Sequence, residues 1–171
     1  MDDMLKDFCA ESKGLIDQMA EILEKVEADP SQFKALEEFG QIVDRIMGSA
    51  KFLALNYPLD HPLHAMANFA ELCKLIGYKA SQTTNNPNLI TVVVAFLFDA
   101  TEALGTMTYV IDTDQTKMLN ELLTKTFLDR LQWLATKFDE NLRATVSITK
   151  ESAKSTQDDI DAILKQMGVK R

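Results

Sequence analysis

Leu36-Glu37-Glu38-Phe39-Gly40-Gln41-Ile42-Val43-Asp44-Arg45-Ile46-Met47-Gly48-Ser49-Ala50-Lys51-Phe52-Leu53 is the stretch that decides the fold. Within it Leu36, Phe39, Val43, Ile46, Ala50 and Leu53 follow one another in alternating steps of three and four, which sets all six on one side of an α-helix. Such a seam belongs to a bundle helix packed lengthwise against its neighbours. Just upstream, Asp29-Pro30 reads as an N-cap followed by a proline in the first turn, so a first helix ends there and a second begins.

The same period extends in both directions. Leu5, Phe8, Leu15, Ile16, Met19, Ile22, Leu23 and Val26 place helix 1 over residues 3–27. Asn56-Tyr57-Pro58 interrupts the pattern, and helix 3 resumes it from Pro62 to about Tyr78. Residues 81–88 (SQTTNNPN) form a polar loop. The β-branched run that follows suits a buried helix over 89–110 better than a strand, because of its length and its closing Phe96, Phe98, Leu104 and Met107. Asp112 to Asp114 reads as a turn and cap. Helix 5 is expected from there to about Val146, with Leu119, Leu122, Leu123, Leu131, Trp133, Leu134, Phe138 and Leu142 as its apolar residues.

Beyond that point the pattern changes. Residues 147–156 are polar and without apolar period, the composition of a flexible linker. Residues 157–171 read as a separate amphipathic helix: Ile160, Ile163, Leu164 and Met167 fall at i, i+3, i+4 and i+7, while Asp158, Asp159 and Asp161 crowd the positive end of its dipole. Thr156 with Asp159 can close a capping box, and Gly168 supplies a stop. The expected organisation is an all-α, antiparallel four- to five-helix bundle over 1–146, a linker, and a tethered helix shaped to occupy a partner's groove.

Composition narrows the function classes. The 171 residues suffice for one sizeable core, 46% are hydrophobic, and Gly and Pro are scarce. A formal net charge of −8 disfavours nucleic acid, whose binding depends on Lys and Arg neutralising phosphates. No secretory signal is recognisable, and the longest apolar run, Leu89 to Leu97, is too short to span a bilayer, so a cytoplasmic protein without membrane attachment is expected. Cys9 and Cys73, isolated among apolar neighbours, read as reduced core residues. His61 and His64 lack the further ligands that a metal shell needs, and no metal site is expected.

On helix 2, Glu37, Gln41, Asp44, Gly48 and Lys51 gather at 100° per residue on one flank away from the seam. The stretch from Glu37 to Met47 resembles the catalytic helix of the CheZ family of chemotaxis phosphatases, in which an acid precedes a glutamine by four residues, a glycine stands just before that glutamine and an apolar-x-x-Arg run follows. The tail pattern Gln-Asp-x-Ile-Asp-x-Ile-Leu-x-x-Met-Gly resembles the C-terminal peptide of the same family and, more loosely, the N-terminal peptide of the flagellar switch protein FliM. Both peptides dock on the CheY response regulator.

These resemblances imply roles. Gln41 would orient the water that attacks the regulator's phospho-aspartate, and Glu37 would engage the regulator's lysine. An acyl phosphate is already activated, and the regulator holds its own magnesium, so a positioned amide suffices and no resident cofactor is implied. The family's acid is aspartate, so Glu37 carries one extra methylene. Ile160, Ile163, Leu164 and Met167, with Asp158, Asp159 and Asp161, would bind the regulator. A second resemblance, over most of residues 1–110, is to histidine phosphotransfer (Hpt) domains. Gly48-Ser49-Ala50-Lys51-Phe52-Leu53 is similar to the segment that follows their phosphorylated histidine, but Asp44 stands at the histidine position and Met47 at the lysine position. Relay through histidine is thereby excluded at this site. A bundle presenting helix 2 to a receiver domain remains implied, with Gly48 allowing close approach and Asp44 either aiding catalysis or mimicking charge. The expected function is binding of a CheY-like regulator and stimulation of its dephosphorylation; the alternative is a non-enzymatic adaptor or degenerate Hpt domain that sequesters or localises it. Helix 5 is apolar enough to pair with a second copy, as in CheZ, and a homodimer is one expected arrangement.

Overall fold

The computed structural model describes residues 3–113, 124–139, 141, 142, 162, 163 and 165. Those residues form an all-α bundle with no strand among them: α1 (Asp3–Ala28), a 3-10 segment (Pro30–Ala35), α2 (Leu36–Ala54), α3 (Pro62–Ser81), α4 (Pro87–Thr113) and α5 (Lys125–Ala135). Each of α1 and α3 packs on both α2 and α4, so the four long helices stand at the corners of a square. Neighbours run antiparallel. Lys51–Glu71 and Asp44–Lys74 join α2 to α3 in opposite chain order, Cys9–Thr108 and the approach of Ile16 to Gly105 do the same for α1 and α4, and Lys13–Asp112 adds an ion pair between the latter two.

The helical period fills the core as expected. All six residues of the Leu36 to Leu53 seam are buried, as are Leu5, Phe8, Leu15, Met19, Ile22, Leu23 and Val26 of α1. Phe39, Phe69 and Phe96 are among the largest fully buried side chains. Each such burial stabilises by roughly 1.5–3 kcal/mol relative to leaving the ring in water. α5 lies across α3 and α4, where the Phe127 ring centre sits 5.6 Å from Phe69 and 5.0 Å from Phe96, and Arg130 pairs with Asp99 at 2.9 Å.

Helix ends follow local chemistry. Asp29 has extended backbone (φ −144°, ψ 95°) and its carboxylate accepts from the Ser31 amide at 3.0 Å, the Ser31 hydroxyl at 2.7 Å and the Gln32 side chain at 3.3 Å. It caps as expected, but what it caps is the 3-10 segment, with Gln32 off the helical path, and regular α2 starts only at Leu36. His61 caps α3, accepting from the Leu63 amide at 3.3 Å, and Pro62 fills the first turn. Asn86 accepts from the Leu89 amide at 3.0 Å, so α4 begins at Pro87 inside the segment read as a loop.

Two expectations about the chain after α4 are corrected. Asp112 is not in a turn but within α4, which continues to Thr113, and its carboxylate pairs with Lys13 at 3.1 Å. Helix 5 is not continuous to Val146. Thr124 is extended (ψ 153°) and caps a new helix through its hydroxyl, which ends at Ala135. After it, Asp139 draws the chain into a turn by accepting from the Asn141 amide at 2.8 Å. Leu119, Leu122 and Leu123 lie outside the described residues.

α4 is the most apolar helix, and its threonines are accommodated by back-bonding. The hydroxyls of Thr101 and Thr108 donate to the carbonyls of Leu97 and Leu104 one turn earlier, at 2.7 and 2.9 Å. With a mean hydropathy of 1.7 over its most apolar window, α4 is the one helix among the described residues long and apolar enough to cross a membrane. In the fold 56% of that window is buried, against α1 and α3, as in the core helix of a bundle.

Candidate functional site

The flank of α2 opposite its seam is where the candidate residues converge. Glu37, Gln41, Gly48 and Lys51 are exposed and Asp44 is half-exposed, so the azimuth read from the sequence holds in three dimensions. The side chains of Glu37 and Gln41, one turn apart, make no hydrogen bond or ion pair with any described residue. Asp44 differs. Its carboxylate meets the Lys74 ammonium of α3 at 3.0 Å, and Lys51 likewise meets Glu71 at 2.8 Å.

α3 supplies what the reading of α2 missed. Lys74 is only 12% exposed against 44% for Asp44, so the ammonium sits under the carboxylate, neutralising and fixing it. Tyr78 packs its ring over Gly40, where an added Cβ would lie 3.2 Å from three ring atoms. Reciprocally, a Cβ on Gly77 would meet Phe39 Cδ1 at 3.0 Å and the Leu36 carbonyl oxygen at 3.3 Å. Gly40 and Gly77 therefore let α2 and α3 approach closely. Burial, with the charges of Asp44 and then Glu37 beside it, pushes the Tyr78 phenol up to about 12. It stays neutral at ordinary pH and can only donate or accept a hydrogen bond. The signal in sequence was Glu71, Lys74 and Tyr78 at i, i+3 and i+7 of an otherwise apolar helix.

Gly48 has no packing reason to be glycine, since an added Cβ would meet nothing within 4 Å. An exposed glycine inside a helix costs roughly 0.5–1 kcal/mol relative to alanine, so its use there is a cost to the fold alone. Beyond it the flank turns apolar: Phe52, Leu55 and Leu59 are 59%, 81% and 89% exposed, three large hydrophobic side chains presented to solvent in one short stretch. That is the composition of an interface.

The chemistry available is positional. Gln41 offers an amide that can donate and accept, and Glu37 offers a carboxylate. Neither cysteine contributes a nucleophile: both are buried and free, burial and then Asp112 push the Cys9 thiol up to about 11, and burial raises Cys73 further. His61 and His64 are engaged locally, the first in the α3 cap and against the Tyr57 ring, the second 3.3 Å from the Tyr57 carbonyl oxygen. Among the described residues no three His, Cys, Asp or Glu side chains come together as a metal shell would need.

Of the tail, Ala162, Ile163 and Lys165 are described, and they are helical. Ile163 is half-buried against the bundle's own core while Ala162 and Lys165 are exposed, so in this structure Ile163 faces the bundle. Asp158, Asp159, Ile160, Asp161, Leu164, Met167 and the linker lie outside the described residues. Comparison with family models, with curated proteins and with solved structures returned no match.

Proposed function

We propose that this chain binds a CheY-like response regulator in the cytoplasm and accelerates hydrolysis of its phospho-aspartate. The observation that carries the reading is the flank of α2, where Glu37 and Gln41 project unpartnered from a rigid helix, one turn from an Asp44 already neutralised by Lys74. A free amide on a fixed backbone is what the orientation of a water molecule requires. Neutralising Asp44 lowers the repulsion that a second carboxylate would offer an incoming phosphoryl group. Gly48 leaves room for close approach, and Phe52, Leu55 and Leu59 give the regulator an apolar surface to rest on. Magnesium comes with the regulator. In this reading the tail peptide leaves the bundle, freeing Ile163 from the core it packs against, and through Ile160, Ile163, Leu164 and Met167 raises the local concentration of α2 at the regulator's active site.

The test is single-turnover decay of the phosphorylated regulator at saturating protein. Gln41→Ala is expected to remove most of the acceleration, on the order of 100-fold, while leaving binding intact. Glu37→Ala should slow the reaction too. The adaptor reading is favoured by one specific observation, the exposed apolar patch of Phe52, Leu55 and Leu59, which could serve as a docking surface without any chemistry. Decay at the spontaneous rate despite proven binding of the wild type would establish that reading in place of the phosphatase.

A further inference from the structure

On the side of the square opposite the α2–α3 seam, α1 and α4 leave an open groove of about 570 Å3 between them. Its apolar lining comes from Ile16, Ala20, Phe98 and Tyr109, and the small residues are what open it. A Cβ on Gly105 would touch only Ile16 Cγ2, at 3.9 Å. The polar lining is one-sided. Thr101 and Thr106 donate their hydroxyl protons to the carbonyls of Leu97 and Glu102 within α4, at 2.7 and 3.1 Å. Asp99 is held by Arg130 at 2.9 Å, whereas Asp17 and Glu102 are exposed and have no ion pair among the described residues.

The groove therefore offers apolar surface with acceptors and two carboxylates, Asp17 and Glu102, that no described residue pairs with. A phosphate or nucleotide would be repelled, and a neutral apolar ligand would leave the two carboxylates unused. From Phe98 to Tyr109 the lining spans about 16 Å at 1.5 Å per residue, roughly three turns of helix. We propose that this groove docks a cationic amphipathic helix of a partner protein, its apolar residues against Ile16 and Phe98 and its lysines or arginines reaching Asp17 and Glu102. The chain's own tail is a poor occupant, because Asp158, Asp159 and Asp161 would face like charge. Because the groove and the Gln41 flank lie on opposite sides of the bundle, both can be occupied together.

Titration calorimetry on the full chain tests this, with a synthetic amphipathic helix carrying leucines on one face and flanking lysines, and a twin with glutamate for lysine. Saturable one-to-one binding of the lysine peptide is expected, with none of the glutamate twin. Gly105→Leu fills the groove without changing charge and should weaken binding roughly tenfold or more, and Glu102→Lys should do the same. Asp60→Lys, an equal charge change at an exposed position outside the groove, should leave it unchanged. Absence of saturable binding, equal affinity of the twin, or undiminished binding to a folded Gly105→Leu overturns the proposal. If Gly105→Leu does not fold by circular dichroism, Glu102→Lys against Asp60→Lys decides it.

Discussion

The two opposite sides of the bundle use the same residue to contrary ends. Between α2 and α3, Gly40 and Gly77 are filled from across the seam by the rings of Tyr78 and Phe39, so the missing side chains become close contact. Between α1 and α4, only Ile16 Cγ2 among the described residues comes within 4 Å of where a Cβ on Gly105 would lie, and the missing side chain becomes a groove. Glycine in a helix thus has no single structural meaning; the neighbour decides. One side is a rigid mount that holds Gln41 and Glu37 in place, and the other is an opening.

The contrast breaks most sharply at Gly77. Gly77→Ala would put a methyl 3.0 Å from a ring carbon of Phe39 and 3.3 Å from the Leu36 carbonyl oxygen, and a backbone atom inside a helix cannot step aside. A loss of roughly 2–3 kcal/mol is expected, read as a lower Tm by about 2–4 °C per kcal/mol. Gly40→Ala meets only the Tyr78 ring, 3.2 Å away, which can tilt, so roughly 1–2 kcal/mol is expected in the same melt. Gly105→Ala and Gly48→Ala should go the other way. Their methyls meet ordinary contact or open space, and helix propensity favours alanine, so each should stabilise by up to about 1 kcal/mol. Gly48→Ala has a second readout: under the proposed function it weakens regulator binding while raising the Tm, a pairing that a purely structural glycine would not produce.

The smallest effect in ordinary buffers concerns Tyr78. Its phenol ionises near 12 in the fold and near 10 in the unfolded chain, so between these the unfolded state has released a proton that the native state keeps. Its contribution to stability is complete below pH 10 and declines as pH rises through 12. A tyrosinate absorbance titration should show a late component that disappears in Tyr78→Phe.

Periodicity made the long helices legible because it is a local property. The steps from Leu36 to Leu53 depend on nothing beyond α2, and they also fix the azimuth that leaves Glu37, Gln41 and Gly48 exposed. Lys74 and Tyr78 were not legible as part of the site, since their place there depends on the register of α3 against α2, which no single helix encodes. The break at Thr124 escaped for a different reason: apolar spacing from Leu119 to Leu142 continues across it, and threonine serves equally as a helix residue and as a cap. Asn86-Pro87 did carry a helix-start signal, submerged in a polar run. The groove has no sequence signature at all, because a void is the absence of a side chain from somewhere else.

The apolarity of α4 has a consequence for biogenesis. A 27-residue helix with the hydropathy of a bilayer span would be a hazard if it left the ribosome alone. Its packing partners α1 and α3 both precede it in the chain, so they are synthesised first, while α5, whose Phe127 ring stacks on Phe96, follows it. The order of the helices along the messenger thus limits the time during which targeting machinery could mistake this segment for a membrane anchor.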